Sequence, residues 1–472
     1  MLFCWLGLTV YLILRSIYVD MTIDESASAL FAIDSKTYLQ VYQWLGLSAN
    51  NHFLNTVLIK FFTSVFGTNQ FFIRLPNILA YCLYAYYSFR ILELSSKSTL
   101  VLITGFLLLN FSPYLLDWFS TARGYGLSYA FMMGSVYYLL LYSRDVKFRY
   151  LCFTMIFSSL SVLSVFSMLN FFSAVLLLLA LLIVINLKKT GWRKGLIHFG
   201  TVVIFSALLA LLIFKPILEL KAANQFYFGG DNGYWKDTIV SACRHFLYNR
   251  WHINHEQIAW ILLILVLTAF LTKVYASIRY RDFDLKELLL PLCLIFIPPL
   301  ISGVQHYLLG TLYLTQRTAF FLFILALLSL ILVLDSLVRY QKIRVFSHIT
   351  LIILSIFMSI HFIKSSNTRS IIEWSSDQDN RAALFALKNY SSDMGISPPV
   401  KFYTTNMHFY SIDYYNRYEP FSFLFSPDMT DSINKGGLYY INKERLNEVH
   451  SGRITIIRSF PLSGMIILKY TP

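Results

Sequence analysis

Asn170-Phe-Phe-Ser-Ala-Val-Leu-Leu-Leu-Leu-Ala-Leu-Leu-Ile-Val-Ile-Asn-Leu187 contains no charge and is followed at once by Lys188-Lys189. An apolar helix of about 20 residues matches the hydrocarbon thickness of a bilayer. The stretch therefore reads as a membrane span with a basic flank. Working outward, comparable runs lie near 2–19, 70–92, 98–116, 124–143, 150–168, 196–216, 257–276, 286–304, 312–334 and 346–363, giving about eleven transmembrane helices. The composition agrees. Of 472 residues, 57% are hydrophobic and only 14% are charged, where a soluble domain carries about 25% charged residues. The predicted class is an all-α polytopic membrane protein, and the lipid bilayer is its first partner.

Loop charges test the count. Arg90/Lys97, Arg144/Lys147/Arg149, Lys188/Lys189/Arg193/Lys194, Lys273/Arg279/Arg281 and Arg339/Lys342/Arg344 fall in every second loop. Basic loops stay in the cytoplasm, so the N-terminus is expected there and everything beyond Phe362 outside. The first span lacks a basic leader and a small-residue cleavage site, and reads as a retained helix. Arg15 dissents near the outer end of that span and reads as a snorkelling side chain. The net charge of +14 is spread over short loops rather than gathered into a stripe, which argues against nucleic acid. Five cysteines show no metal-ligand spacing, and neither a metal nor a cofactor is expected.

Three outer segments are long: 20–69, 217–256 and the tail 364–472. The chain thus divides into a membrane domain, 1–363, and a soluble extracytoplasmic domain, 364–472. In the tail, Arg381–Lys388 reads as a helix, Val400–Thr404 and Gly437–Ile441 as strands, and Thr455–Arg458 with Met465–Lys469 as a hairpin. That pattern is a small α/β module. In the first outer segment, Asn55–Phe66 is apolar on most sides but too short to span. It suits a helix lying at the membrane interface, with Gly67 as its cap. Ser26–Trp44 is a second candidate.

Polar groups collect on the same predicted face. They are Asp24-Glu25, Asn50-Asn51-His52, Arg74, Asp117 with Arg123-Gly124-Tyr125, and Gln305-His306 with Arg317. Carboxylates and arginines at a bilayer boundary are costly unless paired or used. A carboxylate can deprotonate an acceptor hydroxyl, and arginines can hold a phosphate and the charge that grows on it. A site of this kind could move a group from a lipid-linked phosphate to an acceptor. Plainer readings stand beside it. Arg74 could snorkel, Arg123 could pair with Asp117, and His52 could cap a helix. His245, His252, His255 and Glu256 superficially suggest a metal cluster, but their spacing fits no zinc motif and a mobile wet loop is the expected reading.

Asn50-Asn-His-Phe-Leu-Asn-Thr-Val-Leu-Ile-Lys60, Phe66-Gly67, Phe72-Ile-Arg-Leu-Pro76, Ser112-Pro113 and Ala122-Arg-Gly-Tyr125 resemble, in order, motifs of the GT-C membrane glycosyltransferases. These are the polyprenyl- and dolichyl-phosphate-sugar-dependent enzymes, such as protein O-mannosyltransferases and lipid A aminoarabinose transferases. The subgroup most like this chain is that of bacterial lipopolysaccharide-core sugar transferases. The likeness is concentrated in the first 145 residues, and Phe53 stands where many relatives have proline. It implies an inverting, metal-independent transfer on the extracytoplasmic face of the inner or plasma membrane. The donor would be a polyprenyl-phosphate-linked sugar and the acceptor a glycan, lipid or protein hydroxyl. Asp24 would be the general base and Glu25 would orient the site. Arg123, Tyr125, Arg317 and Arg74 would serve the donor and its phosphate, and His52 and Asn51 the acceptor side. The loop 217–256 could act as a lid. A transporter or lipid flippase, or a non-catalytic assembly protein, remains the alternative. The lack of an internal repeat and the one-sided polar groups speak against transport.

Overall fold

The computed structural model describes residues 2–248, 251, 253–281, 285–418, 425–430, 432–448 and 452–472. Helix α1 (Leu2–Tyr18) ends four residues before α2 (Ile23–Asp34), and the two axes meet at 80°. The break is written in the sequence. Thr22 accepts from the Glu25 amide while the Glu25 carboxylate accepts from the Thr22 amide, a reciprocal cap that starts a new helix there. Helices α3 (Tyr38–Trp44) and α4 (Phe53–Phe66) complete the segment before α5 (Gln70–Ser95). The expected Asn55–Phe66 helix is therefore present and ends on Gly67, whose φ of 93° favours glycine. The expected 26–44 helix is instead two helices, because Thr37 caps a fresh start.

Next come α6 (Thr99–Asn110) and α7 (Pro113–Phe119), bent by 62°. Pro113 disfavours helix at the residue before it, and Ser112 caps α7. The chain continues through α8 (Gly124–Asp145), α9 (Phe148–Ser164), α10 (Leu169–Thr190), α11 (Trp192–Ala222) and the short α12 (Ser241–Phe246). It then runs through α13 (His255–Arg279), α14 (Leu285–Leu309), α15 (Phe320–Val338) and α16 (Gln341–Ser365). A helix thus lies at each predicted span, but the count of eleven is not met as membrane spans. Among the described residues six helices are long and apolar enough to cross a membrane, or eight if each bent pair is one span. Helix α9 has only 17 residues, and α5 and α8 are rich in tyrosine and serine. The protein is a multi-pass membrane protein.

Among its described residues, segment 217–256 holds regular structure. Helix α11 extends to Ala222, Gly230 pairs with Tyr313 through two backbone hydrogen bonds, and a π-helical turn at Trp235–Val240 leads into α12.

In the tail, α17 (Asn380–Asp393) and α18 (Asn406–Tyr418) accompany a five-stranded mixed sheet of order β2-β1-β3-β5-β4. The strands are β1 (Val400–Thr404), β2 (Phe425–Met429), β3 (Gly437–Asn442), β4 (Arg453–Phe460) and β5 (Met465–Thr471). Strand β1 is parallel to β2 and β3, while β5 is antiparallel to β3 and β4. The expected hairpin is β4–β5. One buried apolar cluster joins Met21, Leu30, Ile59 and Ile73 to Leu384, Ile412 and Tyr415. The segment after α1 and the tail therefore share a core.

Candidate active site

The cap at Thr22 fixes the rotation of α2. Successive residues of a helix point about 100° apart, so Asp24 and Glu25 face different surroundings. Glu25 is fully buried against α5. Its carboxylate accepts from Arg74 Nε and Nη2, both at 2.8 Å, from the Ala122 amide at 2.6 Å and from the Thr22 amide at 3.1 Å. Arg74 donates its remaining hydrogens to the carbonyls of Ser16, Val19 and Asp20. Every N–H of that guanidinium is thereby used. Together they tie α5 to the α1–α2 corner and to the residue before Arg123.

Asp24 points the other way, with its side chain 22% exposed. Its Oδ2 lies 3.6 Å from Arg123 Nη2 and 3.8 Å from Arg317 Nη2. These distances are too long for hydrogen bonds, so its oxygens remain open to a ligand hydroxyl. Arg123 precedes α8 and is buried. Its Nη1 donates to the carbonyls of Asp24 and Asn50 and to Ser28 Oγ. Its Nη2 lies 3.2 Å from His52 Nε2.

His52 Nδ1 accepts the Gly124 amide at 2.8 Å. The neutral ring must then carry its proton on Nε2. That N–H and the Arg123 guanidinium are two donors brought together beside the cavity. Burial holds the His52 pKa well below the usual histidine value, and the charges of Arg123 and Arg317 push it further down. The close approach needs Gly124: a Cβ there would stand 2.1 Å from the Ser164 carbonyl and 2.7 Å from His52 Nδ1.

Tyr125 packs its ring against His52 and Trp118. Asn51 is committed to the local fold, donating to the Val41 carbonyl and accepting from Thr56. Arg317 lies in the short turn before α15. Its guanidinium carbon is 4.0 Å from the centre of the Phe228 ring and 5.3 Å from that of Trp374.

Asp24, Asn51, His52, Arg123, Tyr125 and Arg317 all line one cavity of about 390 Å³. Asp24 is the one carboxylate in that lining among the described residues. Beyond the polar end the wall is apolar, with Leu163, Phe166, Ile217, Phe226, Leu309 and Leu314. Two expected site residues, Glu25 and Arg74, are absent from it.

Glu373 is the residue that sequence reading missed. It sits in the turn Ile372–Asp377, just after α16, with its side chain only 4% exposed. Its Oε2 is 3.2 Å from Arg317 Nη1, its Oε1 accepts from the Tyr114 hydroxyl, and His245 Nε2 is 3.8 Å away. The sequence signal was an acid inside Ile371-Ile-Glu-Trp374, an apolar patch at the start of the tail. Other readings change too. Arg15 does not snorkel: it is buried and paired with Asp117, which leaves Arg123 for Asp24. His245 belongs to the Glu373 neighbourhood, and His252 lies outside the described residues.

Residues 53–218 match the family model described as dolichyl-phosphate-mannose-protein mannosyltransferase. The fold is similar to that of ArnT from Cupriavidus metallidurans in the apo state. The match covers 99% of this chain and 97% of that one, at 10% identity and a TM-score of 0.51. The same enzyme bound to undecaprenyl phosphate matches over the same shares at 11% identity and a TM-score of 0.46. The arabinosyltransferase EmbB from Mycobacterium smegmatis matches over 84% of this chain and 41% of its own, at 10% identity and a TM-score of 0.41. No curated protein matches the chain. The family-model match and the fold likeness to ArnT support the resemblance to GT-C membrane glycosyltransferases.

Proposed function

We propose that this protein transfers a sugar, with inversion, from a polyprenyl-phosphate-linked donor to an acceptor hydroxyl, with Asp24 as general base. The observation that carries the reading is the Asp24 carboxylate on the cavity wall, within 4 Å of both Arg123 and Arg317. In the proposed step the acceptor oxygen attacks the anomeric carbon from the face opposite the phosphate. The bond between that carbon and the phosphate oxygen breaks, and its electron pair stays on the phosphate. The acceptor proton passes to Asp24. Arg123, the Nε2–H of His52 and Arg317 supply donors where phosphate charge grows. Tyr125 packs beside them, and the apolar wall suits an isoprenoid chain. Glu25 and Arg74 act as framework, holding Asp24 and Arg123 in register.

In this proposal the reaction runs on the extracytoplasmic face, with the N-terminus in the cytoplasm and the tail domain, 364–472, outside the membrane domain, 1–363. Alternating loop charge supports that orientation. Aromatic residues 226–228 of the second long segment close one side of the cavity, in keeping with a covering role over the donor. The acceptor would be a glycan, lipid or protein hydroxyl.

The test is a panel of polyprenyl-phosphate sugars incubated with the purified protein in lipid nanodiscs. Asp24→Asn is expected to keep donor binding and lose sugar release and transfer by 10²-fold or more, the scale of a lost general base. Undiminished turnover in that variant would remove Asp24 from the chemistry.

A further inference from the structure

We infer that Glu373 tunes the charge of the site, so that it holds a singly charged phosphodiester and releases a doubly charged phosphomonoester. The inference rests on the proposed transfer, whose donor is such a diester and whose spent carrier is such a monoester. Glu373 stands beside Arg317, outside the cavity lining, and acts by its charge; it is not a catalytic residue.

The charges can be counted. Asp24 and Glu373 contribute two negative charges, Arg123 and Arg317 two positive ones. The Glu25–Arg74 and Arg15–Asp117 pairs are closed on themselves, and His52 is held neutral. The empty site is therefore balanced. A phosphodiester brings it to one negative charge. Transfer conserves that total, because the new phosphate charge appears as the acceptor proton settles on Asp24. Once Asp24 gives the proton to water, the total becomes two negative charges, and the spent carrier is repelled.

Glu373 is suited to act by charge rather than by holding Arg317 in place. Phe228 and Trp374 flank the guanidinium, and the Arg317 carbonyl accepts from the Tyr129 hydroxyl at 3.2 Å. The direction of Arg317 is thus set by packing as well. Around Glu373 itself stand the Tyr114 hydroxyl from α7, His245 from α12 and Arg317, with Asp117, Tyr125 and Tyr129 within electrostatic reach. Of these neighbours only Arg317 carries a fixed positive charge without a second carboxylate in hydrogen-bond contact.

The experiment compares two probes that differ only in the second ionisation: undecaprenyl phosphate and its methyl ester. Binding is measured to the full-length protein in nanodiscs at pH 8. The wild type is expected to prefer the diester. Glu373→Gln keeps an oxygen for Arg317 and removes the charge. It should tighten the monoester about tenfold more than the diester, the effect of one unit charge at several ångströms in a partly wet site. Equal weakening of both probes would show a merely structural role and overturn the inference, as would an unchanged ratio. The wild type gives an independent reading if the variant does not fold. Between pH 8 and pH 5 the monoester regains a proton, with a pKa near about 6, and its disadvantage should vanish. The diester has no such proton to regain and serves as the internal control for the protein's own response to pH. A preference that persists at pH 5 also overturns the inference. If neither probe binds, or Arg317→Met binds both as well as the wild type, the proposed donor site itself fails.

Discussion

Replacing Glu25 by glutamine tests whether the two neighbouring acids do different work. The carboxylate is fully buried and accepts four hydrogen bonds, two of them from Arg74. In Glu25→Gln an amide NH₂ group must face a guanidinium N–H, and Arg74 is left as a buried unpaired charge. Breaking such a pair from one side costs ~3–5 kcal/mol. Arg74→Met carries a similar penalty and takes a donor from three carbonyls besides, of which Ser16 and Val19 keep one from Gln70. The double variant removes both charges, so its cost should fall short of the sum by up to about 3 kcal/mol. Denaturant unfolding of the purified protein in detergent, followed by intrinsic tryptophan fluorescence, measures all three. Asp24→Asn is the control: an acid with no hydrogen bond to its arginines and part of its side chain exposed should cost less than Glu25→Gln. The reasoning fails if Glu25→Gln unfolds like the wild type yet loses sugar transfer. It also fails if the two single costs simply add.

Two further outcomes follow from the same corner of the structure. Gly124→Ala would push a Cβ into the Ser164 carbonyl and the His52 ring. Overpacking of that kind costs ~1–3 kcal/mol, and displacing His52 should weaken polyprenyl-phosphate binding in the same preparation. His52 has a lowered pKa when folded, so on acidification the unfolded chain takes up a proton that the folded chain refuses. Its stabilisation is complete above about pH 6.5. Below that it is lost with a slope approaching 1.4 kcal/mol per pH unit, until the folded histidine itself titrates. Unfolding midpoints measured from pH 7.5 to 5 should show that slope in the wild type and a shallower one in His52→Gln.

Legibility in the sequence varied with the kind of signal. Apolar runs and capping residues are local, and they mark the long apolar helices, helix α4 and the β4–β5 hairpin. Span counting went further than the structure supports, because α5 and α8 are too polar and α9 too short to pass as spans on their own. Strand β2 and helix α18 escaped notice because β2 holds Pro427 and Asp428 and α18 is mostly tyrosine and polar residues. At the candidate site, the polar residues themselves were visible but their pairings were not. Proximity in the chain pairs Asp117 with Arg123, 6 residues on, whereas its partner is Arg15, 102 residues away. The motif places Arg74 with the donor, whereas Glu25 engages it across 49 residues. Contacts of that range depend on packing, which no local pattern encodes.

The same long range explains why the tail belongs to the site and is not only an appendage. Helix α2 begins at the residues that present Asp24, and a helix start leaves amides that need partners. One of them, Ile23 N–H, donates to Asp377 Oδ2 at 2.9 Å, and His408 Nδ1 stands 3.1 Å behind that carboxylate. Met21 N–H donates to the Tyr415 hydroxyl, and Asp20 is paired with Arg381. Asp377, Arg381, His408 and Tyr415 all come from the tail. Four residues before Asp377, Glu373 reaches Arg317. A single turn of the tail thus anchors the helix that carries the proposed base and sets a carboxylate against the arginine facing it. Glu25 completes the grip from within, since its cap fixes the rotation of α2 that leaves Asp24 facing the cavity.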